Sequence, residues 1–255
     1  FVSDHRDLDA STRLTADLIG IAGSGLMHLK SRSYRWNDPT SGAAVSRLTT
    51  GSMNPGDLAV ANEETLHYIE DSTIIDAFAS KYQAVRDDNE VTNAWDATAP
   101  LPVLFSPDGG EQAIDHIADL IDAENEMILM AVYSMRNIAP SQGGDGIVER
   151  LVAAHNRGVK VGLIGDRKQS DGVDSQGQGQ YYNDGFEDEL RDAGIAVFEV
   201  INPSSQYNAM HAKYGIFGLA NPIVVTDAGN WTRAGMGNGA SAPKNDESVL
   251  FIDSN

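Results

Sequence analysis

The 255-residue sequence contains no cysteine, which excludes disulfides, thiol nucleophiles and zinc–thiolate centres. It is also poor in basic residues: 18 Lys and Arg stand against 37 Asp and Glu, a formal charge of −19 at pH 7. Such a surface repels polyanions at long range and argues against a general electrostatic grip on nucleic acid. It fits the solvated acidic exterior of many secreted proteins, and we expect a secreted or periplasmic location. No signal peptide is visible, and the sequence opens on Phe1. No apolar run reaches the ~18 residues needed to cross a bilayer, so no transmembrane segment is expected. The best run, Met127-Ile128-Leu129-Met130-Ala131-Val132, has the length of a buried strand. With 41% hydrophobic residues, a chain of this size can bury sizeable cores in one large domain or two moderate lobes.

The pattern becomes regular after a polar stretch at 86–102 that reads as a linker. A strand is predicted at 103–105. A helix follows over 111–123, where Ile114, Ile117, Ala118 and Ile121 recur at helical spacing. Further strands are predicted at 127–133, 159–164 and 195–200, and helices at 147–156, closed by Gly158, and 186–193. Strands alternating with helices predict an α/β fold with a mostly parallel sheet flanked by helices. The long polar loop at 167–185 is of the kind that borders a site. Upstream, helices are predicted at 11–21 and 74–85.

One short pattern occurs twice. The chain has six His and six Lys, yet His-x-Lys is found at His28-Leu29-Lys30 and again at His211-Ala212-Lys213. Random placement gives roughly 0.1–0.2 such triplets. The downstream residues repeat as well. His28 to Asn62 and His211 to Asn245 are both 34 positions, and Glu64 and Glu247 stand two residues further on. Between these markers lie Thr50-Gly51-Ser52-Met53-Asn54 and Thr226-Asp227-Ala228-Gly229-Asn230. The two copies are offset by 183 residues, an internal duplication.

These residue types suit attack on a phosphodiester. The substrate is an anion, so the site needs positive charge and hydrogen-bond donors around the transferring phosphoryl oxygens. Lys30 and Lys213 supply charge; Ser52, Asn54 and Asn230 supply hydrogen bonds, with Asn62 and Asn245 as further substrate-binding candidates. On a strand, His and Lys two apart share a face, which delivers both to one pocket. One His can attack phosphorus while the other protonates the leaving alcohol. Each needs its other ring nitrogen held by an acceptor, for which Glu64 and Glu247 are the candidates. No metal or other cofactor is required. His5, His67, His116 and His155 lack such company and read as structural or solvated. Trp36 and Trp231, near the motifs, fit a substrate mouth or a core equally. Asp166 fits a helix cap or a place beside the site.

The duplicated pattern resembles the phospholipase D superfamily, whose mark is H-x-K-x4-D followed by G-S-x-N and N-x-E. The second copy also carries a matching upstream pattern in Tyr133, in Arg157 to Val161 and in Asp166. The resemblance implies two pseudo-symmetric α/β lobes: residues 1–99 as the C-terminal part of a first lobe plus linker, and residues 100–255 as a second lobe. The first lobe is then incomplete, because only 27 residues precede its motif. A cleaved N-terminal segment of the same precursor is the partner this suggests. The resemblance implies a phosphodiester hydrolase or transferase working through a phospho-histidine, with His28 attacking and His211 as acid. Phospholipid head-group removal is the first choice of substrate; a nuclease of the same superfamily and an inactive phosphate-binding module are the alternatives. Two departures stand out. The family's Asp is replaced by Arg35 and Gly218, and Gly-Ser of the first copy becomes Asp227-Ala228 in the second.

Overall fold

The computed structural model describes residues 27–55, 59, 61–87, 102–107, 109–170, 186–200, 209–236 and 245–253. The helix predicted at 11–21, most of the linker and the loop beyond residue 170 lie outside these.

Two sheets organise the chain. Strands β1 (Arg32–Asn37), β2 (Ala44–Gly51) and β3 (Leu66–Ile69) form a small antiparallel sheet, followed by helix α1 (Ser72–Arg86). The second half comprises β4 (Val103–Ser106), α2 (Gly110–Ala123), β5 (Met127–Val132), α3 (Ile147–Asn156), β6 (Lys160–Asp166), α4 (Arg167–Ser170), α5 (Phe186–Asp192), β7 (Ala196–Val200), β8 (Lys213–Phe217), β9 (Ile223–Thr226), α6 (Arg233–Met236) and β10 (Glu247–Asp253). Its seven strands take the order β4-β10-β9-β8-β5-β6-β7.

The α/β class is as expected, but the large sheet is mixed instead of mostly parallel. Only β5–β6 and β6–β7 pair in parallel; the other neighbours are antiparallel. Parallel neighbours need a crossover, which α3 supplies between β5 and β6 and the segment bearing α5 supplies between β6 and β7. Between β8 and β9 only residues 218–222 intervene, too few for a crossover, so the chain turns straight back. Gly218 makes that turn with φ +96°, a conformation costly for an Asp at this place in the motif.

The helical spacing read in 111–123 does its work: Ile114, Ile117, Ala118 and Ile121 are all buried, against Val148 and Leu151 of α3 and Phe217, Val225, Val249 and Phe251 of the large sheet. Each such aliphatic side chain contributes about 1.5–3 kcal/mol on burial. Gly158, at φ +99°, lies just past α3 where the helix must stop. A second core joins the two sheets. Ile74, Ile75 and Phe78 of α1 fill the space between Leu48 and Ile69 of the small sheet and Phe105 and Leu250 of the large one. Asp71 starts α1 by accepting the free amides of Thr73 and Ile74, at 2.9 and 3.1 Å. Trp231 is core, whereas Trp36 is exposed under the Arg47 guanidinium. Among the described residues no helix is long and apolar enough to cross a membrane.

Candidate active site

The two His-x-Lys motifs lie just ahead of β1 and across the start of β8, so the histidines sit in the lead-ins and not within the strands. Their backbone is therefore held by something other than strand register, and that holder is the opposite copy. His28 N donates to the Asp246 carbonyl at 3.0 Å, and Met27 bridges Asp246 in parallel. His211 N donates to the Glu63 carbonyl at 2.9 Å, and Met210 bridges Glu63 in the same way. Each motif is thus laid along the Asn-x-Glu segment of the other half.

The side chains follow the backbone. His28 Nδ1 is 2.6 Å from Glu247 Oε2, and His211 Nδ1 is 2.9 and 3.0 Å from the two Glu64 oxygens. Both glutamates hold a histidine 147 or more residues away in sequence. With Nδ1–H given to a carboxylate, each ring leaves Nε2 as its second nitrogen, which fixes the tautomer needed for chemistry. The lysines are symmetric too: Lys30 Nζ donates to the His28 carbonyl at 2.6 Å and Lys213 Nζ to the His211 carbonyl at 2.5 Å. The asparagines brace the glutamates. Asn62 donates to Glu64 at 3.1 Å, and Asn245 donates to Glu247 at 3.2 Å.

The remaining expected site residues divide. Ser52 is fully buried; its hydroxyl donates to Glu64 at 2.6 Å and accepts the Thr65 amide at 2.8 Å, so it holds Glu64 and faces no solvent. Asn54 is exposed. Asn230 keeps a buried amide oxygen without a partner among the described residues. Three neighbours went unassigned by spacing alone. Tyr133 sets its ring edge-on to His211, with centroids 4.7 Å apart, and Lys213 Nζ lies 4.9 Å from the same ring centre. Its place at the end of a strand leading to the motif was the available signal. Asp166 unites both roles considered for it: it accepts the Lys168 and Gln169 amides at the start of α4, and Met210 N at 3.0 Å, next to His211. Lys81, buried on α1, reaches Asp246 at 2.8 Å and the Ser106 carbonyl at 3.1 Å.

Electrostatically the two halves share one field. Burial lowers Lys30 to about 8, against the pull of Glu247, Asp227 and Glu64. Burial also lowers Lys213 well below the usual ammonium range, and the Lys30 charge adds to this. His211 falls to about 4, first through burial and then through Lys213 and Lys30, although Glu64 resists. Burial alone would raise Glu64, but bonds from His211, Ser52 and Asn62 bring it below the ordinary carboxylate value. Lys30 of one copy therefore acts on Lys213, His211 and Glu64 of both. Charge crowding of this kind is what an anion between the lysines would relieve.

Known proteins share this fold. No curated protein matches the chain. Among solved structures, phosphatidylserine synthase from Haemophilus influenzae Rd KW20 is similar at 13% identity and TM-score 0.53, over 90% of this chain and 58% of that one. A yeast tyrosyl-DNA phosphodiesterase variant is similar at 11% identity and TM-score 0.55, over 99% and 76%. Polyphosphate kinase from Porphyromonas gingivalis is similar at 13% identity and TM-score 0.58, over 92% and 32%. At these identities the likeness is one of fold. The sequence itself matches the family described as cardiolipin synthase, PLD-like domain, over residues 117–255, a stretch that holds His211, Lys213, Asn230, Asn245 and Glu247. The chain belongs to this phospholipase D-like family, whose members are phosphodiesterases or phosphotransferases.

Proposed function

We propose that the chain is a phosphodiesterase of the phospholipase D type that removes phospholipid head groups through a phospho-histidine. The observation that carries this reading is the reciprocal brace, His28 on Glu247 and His211 on Glu64, with Lys30 and Lys213 alongside. Residues 1–99 and 100–255 are then the two half-site contributors. In the first step Nε2 of one imidazole attacks phosphorus, a P–N bond forms, and the P–O bond to the leaving alcohol breaks. The other imidazole gives that oxygen its proton. This second ring, now neutral, takes a proton from water; the water oxygen attacks phosphorus and the P–N bond breaks. The lysine ammonium groups offset the charge that gathers on the phosphoryl oxygens.

The family resemblance gives the attack to His28, but the electrostatics favour the other order. His211, held neutral near pH 7 by burial and by Lys213, has the free lone pair a nucleophile needs. His28, 2.6 Å from a fully buried carboxylate, has the closer partner for a ring that must carry a proton. Trapping the intermediate and locating the phosphoryl group by mass spectrometry decides between them, with His211 the expected carrier.

The substrate reading rests on charge and on the family. A phospholipid presents one diester to the site, whereas nucleic acid brings a row of phosphates toward a chain of formal charge −19. The family description concerns a synthase of phospholipid. The test is choline release from phosphatidylcholine run beside nicking of plasmid DNA. Release without nicking supports the lipid reading, nicking alone moves the substrate to nucleic acid, and neither reaction with any phosphodiester leaves a binding module.

A further inference from the structure

The two copies differ most sharply at one backbone position. Gly51 and Asp227 occupy the same place in the repeat, each after a Thr, and both take a positive φ, +147° and +119°. In the first copy glycine is obligatory: a Cβ on Gly51 would collide with the Thr65 carbonyl oxygen. In the second copy the same strained backbone carries a carboxyl, the single non-glycine residue with positive φ among the described residues. Asp227 is fully buried. One oxygen accepts the Thr50 hydroxyl at 2.8 Å, from the opposite copy, and the Ser248 hydroxyl of its own copy also acts on the carboxyl. The next residue changes as well. Ser52, which donates to Glu64, is replaced by Ala228, so Glu247 lacks the hydroxyl donor that Glu64 enjoys.

A fully buried carboxyl on strained backbone needs a reason, and its charged neighbours suggest one. It acts on Lys30 and is acted on by Glu247, the two groups that surround His28. We propose that Asp227 is a positioning residue that regulates the charge of the phosphate site: its carboxylate is the counter-charge of Lys30 when no anion is bound, and it gains a proton when a phosphodiester takes that ammonium over. This rests on the phosphodiesterase reading above. Burial draws Lys213 toward its neutral form, so Lys30 alone faces Glu64 and Glu247; an ionised Asp227 adds to that negative charge and opposes an incoming anion, and a protonated one does not. Burial raises this carboxyl to about 7, with the Ser248 and Thr50 hydroxyls and Lys30 holding it back and Glu247 adding to the rise. The charged groups that act on it are Lys30 and Glu247, and β3 brings His67, whose Nε2 is 3.2 Å from Thr226 Oγ1 next door. The proton therefore moves in the neutral range, where a small change in surroundings shifts it.

The sign follows. Above pH 7 the carboxyl is ionised, so binding of an anion must draw in a proton and weakens as pH rises. Calorimetric titration with dimethyl phosphate, a diester that does not itself titrate near neutrality, measures this when repeated at pH 6.5 to 8.5 in buffers of different ionisation enthalpy. Lys30 and Lys213 also take up protons on anion binding, so the signature is the difference between wild type and Asp227→Asn, which keeps the acceptor for Thr50. Wild type is expected to take up about 0.7–0.8 proton more per site near pH 7.5 than D227N, and D227N to bind several-fold more tightly at pH 8. Asp227→Gly, the residue of the other copy, removes the backbone strain. It is expected to melt no lower than wild type and to share the proton balance of D227N, an outcome that a merely structural role would not produce. Equal proton uptake in wild type and both variants overturns the inference while leaving the phosphate site standing. A wild type that does not bind dimethyl phosphate overturns the phosphate site and the inference together.

Discussion

Glu64 and Glu247 sit at the same place in the repeat and hold the same partner, yet their surroundings differ. Glu64 receives His211 on both oxygens, Ser52 on one and Asn62 on the other. Glu247 receives His28 and Asn245 and has the carboxyl of Asp227 nearby where a serine would donate. Outside the site the asymmetry continues: Asp246, which carries the backbone of His28, is tied to Lys81, whereas Glu63, which carries that of His211, is exposed. The lesson is that the duplicated site keeps its imidazole–carboxylate geometry while the supports beneath diverge. The crossing of the pairs explains why. Each half depends on the other for both backbone and side-chain support of its histidine, so neither can lose its glutamate, but the means of holding that glutamate is a local matter.

The largest effect that tests this comparison comes from the rings themselves. His28→Ala and His211→Ala are each expected to lower kcat on bis(p-nitrophenyl) phosphate by about 10³-fold or more, with the double variant little worse than either. A variant retaining wild-type rate would remove that histidine from the chemistry. Next is Lys81→Ala, which strands Asp246 and the Ser106 carbonyl. A thermal or urea melt is expected to show a loss of about 3 kcal/mol, because one partner of a buried pair is removed. Loss of stability without a fall in kcat would mean that Lys81 supports the fold and not the half-site of His28.

Glu64→Gln and Glu247→Gln are expected to cost about tenfold to a hundredfold in kcat/KM, the worth of one charged hydrogen bond. Their couplings carry the crossing. Read on thermal stability, where the two rings do not act as one unit, Glu64→Gln should add little to His211→Ala and its full effect to His28→Ala; a double-mutant cycle with the opposite pairing would contradict the exchange of partners. The smallest effect is at the divergent support. Ser52→Ala makes the first copy resemble the second and is expected to slow the reaction about fivefold, the worth of roughly 1 kcal/mol, with KM unchanged. A rise in KM instead would return Ser52 to the substrate.

Much of this was legible in the residues. The equal spacing of His, Asn and Glu in two copies points to one shared site, and the buried face of α2 is written in Ile114, Ile117, Ala118 and Ile121. The crossing was not, since equal spacing allows Glu64 to serve His28 or His211 alike; only the fold decides. Nor was strand direction, because a buried run such as Met127 to Val132 has the same composition whichever way its neighbours point. Ser52 reads as a substrate donor until burial places it behind Glu64. Asp227 reads as a lost motif residue, since a carboxylate in a sequence this acidic carries no mark of being fully buried.

The central claim is that both imidazoles serve one phosphate. A crystal structure of the protein soaked with tungstate tests it most directly. The account predicts a single oxyanion held between Nε2 of His28 and Nε2 of His211, with Lys30 and Lys213 on its flanks. Two separate anions, or one bound to a single histidine with the other ring turned away, would contradict it.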